Sequence, residues 1–137
     1  MVTKKAIWIF VGGLMAVAFL VLFSVFNPLE YSFFPSCPFH SLTGLHCPGC
    51  GSQRAIHLLL HGEFWQAFRM NALLLLTLPI LLYALGLRVY NYVKDTKHRV
   101  SIFYKNSFVK AFAILVVLFW VLRNLPFDPF IYLAPNI

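Results

Sequence analysis

Charged residues are scarce in this chain, and acidic residues are the scarcest. Its 137 residues include four Asp and Glu, and charged residues make up 11% of the total. A soluble domain typically has about 25% charged and about 45–50% apolar residues, whereas the apolar share here is 61%. The composition excludes an ordinary soluble globular protein. It predicts an all-α membrane protein with a single domain over residues 1–137.

Three apolar runs interrupt the chain, and each is long enough to cross a hydrocarbon core of about 30 Å as a helix. They cover residues 6–26, 71–90 and 108–125. The first run is longer than the apolar core of a cleavable signal peptide, which has about 7–15 residues, and it ends without a small-residue cleavage pattern, so we interpret it as an uncleaved anchor. The sequence therefore predicts three transmembrane helices.

The basic residues lie mainly at the ends of these runs and give the chain a formal net charge of +7. This placement is typical of lipid headgroup contacts and membrane orientation, so the expected partner is the lipid bilayer and not nucleic acid. The loop over residues 91–107 is strongly basic, whereas residues 27–70 are nearly balanced in charge. The positive-inside rule then predicts a cytoplasmic amino terminus, an outward-facing cysteine segment and a carboxyl terminus outside.

Cysteine is also rare, and all three copies lie between residues 37 and 50. The run Cys47-Pro48-Gly49-Cys50-Gly51 has the form of a metal knuckle, in which two sulfurs share one centre and Gly51 permits a tight turn by adopting a positive φ. Cys37 and His40, with two residues between them, supply a second pair. Together these residues predict a Cys₃His site for zinc or iron. Other histidines could take the place of His40, namely His46, His57 and His61.

Two other uses of the cysteines are consistent with the same pattern. A Cys-x-x-Cys pair just before a helix favours a reactive, redox-sensitive dithiol, since the helix dipole stabilises a thiolate. A plain disulfide from Cys37 to Cys47 or Cys50 would only fasten the outer loop, and the odd third thiol would then need protection. In that case the chain would be a non-enzymatic accessory subunit of a larger membrane complex, or a lipid-contacting scaffold. The sequence assigns no enzymatic activity.

Residues 52–62 predict a helix of about half the membrane thickness, which is therefore re-entrant or interfacial. Ser52 is suited to cap its start and Gly62 to end it. Arg54, His57 and His61 recur on one face, and Arg54 predicts contact with a lipid phosphate or another anion. Residues 63–70 resume a helical pattern that is expected to lead straight into the second span.

At the cysteine segment the sequence resembles a family of small bacterial membrane proteins known as a domain of unknown function. The matching positions are Cys37, Thr43-Gly44, Cys47-Pro48, Cys50-Gly51, Arg54-Ala55, Gly62-Glu63, Ala67 and Asn71. The chain departs from the family pattern at Gln53, where threonine is usual, and at Ala72, where proline is usual. The resemblance implies a bacterial inner membrane protein in which the three cysteines and Arg54 form one site. It implies no activity.

Overall fold

The protein was analysed as a computed structural model, which describes residues 2–28, 30, 31 and 34–135. Within that part of the chain the regular structure is entirely helical. The helices are α1 (Val2–Val25), α2 (Pro38–Thr43), α3 (Ser52–Leu60), α4 (Phe64–Met70), α5 (Ala72–Lys94) and α6 (Asn106–Leu122), with 3₁₀ turns at Ser101–Tyr104 and Phe130–Leu133. Residues 29, 32 and 33 of the expected outer loop lie outside the described residues.

Two of these helices are long and apolar enough to cross a membrane. They are α1, through its segment Lys4–Val25, and α5. Only 6% of either apolar segment is buried inside the protein, so neither is the covered core helix of a soluble domain. Their side chains instead present apolar surface to the surroundings, which is the property expected of a helix solvated by lipid.

The third expected span is not confirmed. Helix α6 has 17 residues and ends at Leu122, short of the predicted end at residue 125. At a rise of 1.5 Å per residue it covers about 26 Å, less than a typical hydrocarbon core. It ends early because the next two side chains, Arg123 and Asn124, turn back to bind the cysteine loop.

The protein core is small and lies where α3, α4 and the start of α5 meet. Ala55 of α3 and Ala67 of α4 have no exposed surface, and Ala72 at the start of α5 is also buried. Small side chains at these positions allow the short helices to approach closely. Helix α3 also packs against α1, and Phe23 of α1 is buried. The half-length helices therefore form a cap on one end of the long helices.

Asn71 separates α4 from α5, so the expectation that residues 63–70 lead straight into the second span is wrong. Its backbone is extended, with φ −156° and ψ 90°. The side-chain oxygen accepts a hydrogen bond from the Leu74 N–H at 3.0 Å and so caps α5. The single extended residue changes the chain direction between the cap and the long helix.

The opposite end of the long helices is closed by a contact between α1 and the end of α5. Lys5 forms an ion pair with Asp95, and its ammonium group also lies 5.6 Å from the centre of the Tyr92 ring. The amino end of α1 therefore lies beside the carboxyl end of α5. The cysteine segment lies at the other end, where Phe23 of α1 contacts α3.

Candidate metal centre

The three cysteine sulfurs converge at one point. The Sγ atoms of Cys37, Cys47 and Cys50 all lie within 4.8 Å of one another. Cys47 is the central one, at 3.3 Å from the Sγ of Cys37 and 3.3 Å from that of Cys50. All three are free thiols, and Cys50 is buried. Sequence reasoning from the knuckle and the preceding cysteine thus identified three side chains that the fold brings together.

The backbone of the knuckle is a compact turn that points amide groups at sulfur. The Cys50 N–H donates to the Cys47 carbonyl at 3.1 Å, and the Cys47 N–H donates to the Cys50 Sγ at 3.2 Å. An N–H group directed at a sulfur stabilises the thiolate, which is the form that binds a metal. This turn is the geometry expected of one half of a metal knuckle.

Gly51 is required at the end of the turn for two separate reasons. Its φ of +79° lies in the left-handed region, which side chains other than glycine rarely adopt. A Cβ at this position would also lie 2.5 Å from the Met70 carbonyl oxygen, which is too close. The positive φ predicted from the sequence is therefore confirmed. Gly51, and not Ser52, is the N-cap of α3, so the capping role expected of Ser52 is wrong.

A buried arginine from the end of α6 holds the knuckle from outside its own segment. Arg123 has 1% of its surface exposed. Its guanidinium donates to the carbonyls of Cys47 at 3.1 Å, Cys50 at 3.2 Å and Met70 at 3.3 Å, with a longer contact to Pro48 at 3.4 Å. Its planar fork of donors suits several carbonyls at once. Arg123 therefore fixes the carbonyl side of the turn that carries two of the three sulfurs.

Two asparagines complete this support. Asn71 donates through Nδ2 to the Pro48 carbonyl at 2.9 Å and to the Ser52 hydroxyl at 2.9 Å. Asn124 brackets His46, because its Oδ1 accepts from the His46 N–H at 2.8 Å and its Nδ2 donates to the His46 carbonyl at 2.9 Å. The knuckle is thus held from both sides by side chains that are far away in sequence.

The three thiols do not have equivalent environments. Burial raises the pKa of Cys50 to about 12, and hydrogen bonds involving the neighbouring thiols add to this effect. At Cys37 burial also acts to raise the pKa, but the backbone N–H of His40 and the Cys47 thiol outweigh it, and the net pKa is lowered. The site therefore contains one thiol whose pKa is lowered and one whose pKa is raised.

His40 and His46 lie together as a stacked pair beside the cysteine segment. Their ring centres are 4.6 Å apart and their planes differ by 11°. The Nδ1 atom of each ring is buried and has no hydrogen-bond partner among the described residues. Burial lowers the pKa of His46, and the electrostatic effects of the neighbouring His40 and Arg123 lower it further. Neither ring belongs to the sulfur cluster within 4.8 Å.

The histidines of α3 are used within the fold. The Nδ1 of His57 lies 2.7 Å from the Phe23 carbonyl of α1, and since a carbonyl can only accept, this nitrogen carries the proton. The Nδ1 of His61 contacts the His57 carbonyl at 2.8 Å in the same way. The two rings lie 4.3 Å apart. The structure thus places His57 against α1 and His61 against His57, and neither belongs to the sulfur cluster.

Arg54 lies on the sulfur side of α3. Burial lowers the pKa of its guanidinium, while the charge of Cys50 acts in the opposite direction and favours the charged form. The expectation that Arg54 and the cysteines share a site stays a prediction. The expected contact with a lipid phosphate remains a prediction.

Sequence reasoning missed Arg123 and Asn124 because they lie within the run assigned to the third span. A signal was present, since an arginine inside an apolar run is costly and usually indicates a function or a specific partner. What the sequence could not supply was the partner. That partner is a set of backbone carbonyls. Because every residue has a backbone carbonyl, the sequence does not indicate which of them an arginine will bind.

The comparisons with known proteins cover the cysteine end of the chain. No curated protein matches, and no solved structure matches. Residues 37–85 match the model of a family described as a protein of unknown function (DUF2752). The matched segment contains all three cysteines, Arg54 and Asn71, and stops before Arg123. The match supports the similarity of this segment to a domain of unknown function.

Proposed function

We propose that this chain is an integral membrane protein that binds one zinc ion through Cys37, Cys47, Cys50 and His40. The convergence of three sulfurs is the observation that carries the proposal. A tetrahedral zinc ion with bonds of about 2.3 Å separates its sulfur ligands by about 3.8 Å. The sulfurs here are 3.3 Å apart in the two pairs around Cys47, so small movements would admit the ion.

The buried guanidinium of Arg123 gives independent support. Among the described residues the only ion pair joins Lys5 to Asp95, so the charge of Arg123 has no carboxylate beside it. A buried charge without a counter-charge is strongly unfavourable. Three thiolates and one neutral histidine on a divalent cation leave the centre with one net negative charge. A bound metal therefore supplies the counter-charge that Arg123 lacks, and Arg54 adds a second cation beside Cys50.

We assign the fourth ligand to His40. Its position three residues after Cys37 repeats the spacing of the knuckle, and its buried Nδ1 has no hydrogen-bond partner among the described residues. His46 shares the unpartnered nitrogen, but its backbone is held on both sides by Asn124. With four protein ligands and no open position, the centre is a structural zinc site and not a catalytic one. It would fasten the Cys37–His40 part of the outer loop to the Cys47–Cys50 knuckle.

The location we propose is the bacterial inner membrane, with the metal centre on the outer side. The apolar exposed surfaces of α1 and α5 support the membrane setting. The ion pair of Lys5 with Asp95 groups the basic loop with the amino terminus at the end away from the cysteines. The positive-inside rule assigns that basic end to the cytoplasm.

A redox-active dithiol is the second candidate, because Cys47 lies 3.3 Å from both other sulfurs and could pair with either. The contrast between the lowered pKa of Cys37 and the raised pKa of Cys50 suits thiol exchange. A static disulfide in an accessory subunit is the third reading. Both differ from the zinc site in one measurable respect, since they oxidise a pair of thiols without holding a metal.

The deciding experiment is elemental analysis of the purified protein in detergent, together with intact mass after thiol alkylation in the absence of reductant. We expect one zinc per chain and three alkylated cysteines after the metal is removed by acid or chelator. Iron in place of zinc would correct the identity of the metal. A metal-free protein with one alkylated cysteine and a mass lower by two hydrogens would overturn the proposal.

Variants test the ligand set in the same assay. Cys47→Ser should abolish metal binding, whereas the exposed neighbour Ser41→Ala should retain it. His40→Ala should weaken zinc binding more than His46→Ala does. A larger loss of zinc binding in His46→Ala than in His40→Ala would identify His46 as the fourth ligand.

A further inference from the structure

A groove lies at the opposite end of the molecule, between α5, the basic loop and the start of α6. Its volume is about 620 Å³, within the range of small-molecule binding sites. The side chains that line it change in character along its length. Apolar groups from the middle of α5 and the start of α6 occupy one end, and basic groups occupy the other.

The apolar end is built from aliphatic residues of α5 facing aromatic residues of the α6 side. Ile80 and Leu81 line it from α5, and Phe103, Phe108 and Phe112 line it from the other side. The Phe103 and Phe108 ring centres are 5.3 Å apart, and those of Phe108 and Phe112 are 6.5 Å apart. The three rings therefore form one aromatic wall of the groove.

The basic end contains Arg88, Lys97 and Arg99, and no acidic side chain lines the groove. The nearest acidic residue in sequence, Asp95, is paired with Lys5 of α1. None of the three cations forms an ion pair within the described part of the chain. The Arg99 guanidinium lies 5.7 Å from the centre of the Tyr104 ring, which orients it at the rim. This end therefore favours an anion.

The loop that carries these cations is held in place by Asn91. Its Oδ1 accepts from the Thr96 hydroxyl at 3.0 Å and from the His98 N–H at 3.0 Å, and its Nδ2 donates to the His98 carbonyl at 2.7 Å. Lys97 and Arg99 flank the fixed residue. The basic end is thus preformed, so little ordering of the loop would oppose binding.

We propose that this groove binds one anionic phospholipid, with an acyl chain along the aromatic wall and the headgroup phosphate among Arg88, Lys97 and Arg99. The adjoining apolar and cationic surfaces match the two parts of such a lipid, and basic pockets between membrane helices recognise anionic headgroups in this way. A zwitterionic lipid would keep the chain contacts but lose much of the charge attraction. The lipid site rests on the proposed membrane setting, but the groove shares no residue with the metal centre, so zinc binding and lipid binding can fail separately.

The test is native mass spectrometry of the detergent-solubilised protein mixed with equal amounts of phosphatidylglycerol and phosphatidylcholine. Each cation near a bound anionic headgroup contributes a preference of about fivefold. The wild-type chain should therefore retain phosphatidylglycerol over phosphatidylcholine. The double variant Arg88→Gln/Arg99→Gln should lose about 25-fold of that preference.

Two controls keep the result interpretable. Lys110→Gln removes an exposed cation of α6 outside the groove and should leave the preference unchanged. Ala84→Trp fills the groove and should reduce the binding of both lipids, while circular dichroism checks that each variant remains helical. Equal retention of the two lipids by the wild type would overturn the proposal. Equal loss in Lys110→Gln and the double variant would do the same, as would full displacement of the lipid by soluble glycerol phosphate.

Discussion

Replacing Arg123 by methionine tests whether a residue outside the cysteine segment builds the metal centre. The change replaces the guanidinium with a long apolar side chain, which removes every donor that reaches the knuckle. Four carbonyls then lose their contact with the guanidinium, three of them at 3.1–3.3 Å. A hydrogen bond from a charged donor contributes about 1.5–3 kcal/mol, and a buried carbonyl left without a donor costs about 1–3 kcal/mol.

These costs do not simply add, because the turn can relax toward water once the guanidinium is gone. In the methionine variant no charge has to be buried, and this partly offsets the loss of the hydrogen bonds. We therefore expect a net loss of about 3 kcal/mol, which corresponds to a zinc affinity about 100-fold lower. Outer-shell partners of metal sites typically have effects of about 10–100-fold, which agrees with this value.

The assay is a competition titration in detergent between the protein and a chromophoric zinc chelator. Arg123→Lys should lie between the wild type and Arg123→Met, because an ammonium group keeps the charge but cannot reach all the carbonyls at once. Arg69→Met is the matched control, since Arg69 is exposed and contacts only the face of Tyr132 in the described structure. If Arg123→Met and Arg69→Met bind zinc equally well, the reasoning about Arg123 is refuted.

Further predictions concern Gly51 in the turn, Asn71 between α4 and α5, and the orientation of the chain in the membrane. Gly51→Ala should lower the melting temperature and the zinc content together, because the new Cβ strains a positive φ and meets the Met70 carbonyl; unchanged values would show that the turn can shift freely. Asn71→Ala should destabilise the protein by about 1–3 kcal/mol through the lost cap of α5 and the lost hydrogen bonds to the knuckle. Thermal unfolding measures this change, and a difference smaller than the experimental error would show that Asn71 does not stabilise this region. A membrane-impermeant thiol reagent applied to intact cells should label Thr43→Cys above the wild-type background and miss Lys97→Cys; the opposite pattern would invert the topology.

The local features of the cysteine segment were accessible from the sequence. The spacing of Cys47 and Cys50 with an intervening proline and a following glycine permits few backbone conformations, so the tight turn and the positive φ of Gly51 could be predicted. The long helices α1 and α5 could also be predicted, because the length and hydropathy of an apolar run determine whether it can cross a bilayer as a helix. Both are properties of neighbouring residues.

The tertiary structure determined which side chains from distant parts of the sequence contact the Cys47–Gly51 turn. The end of α6 at Leu122, the burial of Arg123 and the two-sided bracket of His46 by Asn124 depend on how α6 packs against the loop. Hydrogen bonds to backbone carbonyls leave no pattern in the sequence, since every residue carries the same acceptor. The sequence by itself determined three cysteines capable of one centre and two helices suited to a membrane. Only the fold determined that an arginine more than seventy residues away holds that centre together, because such a contact exists only once the helices are packed.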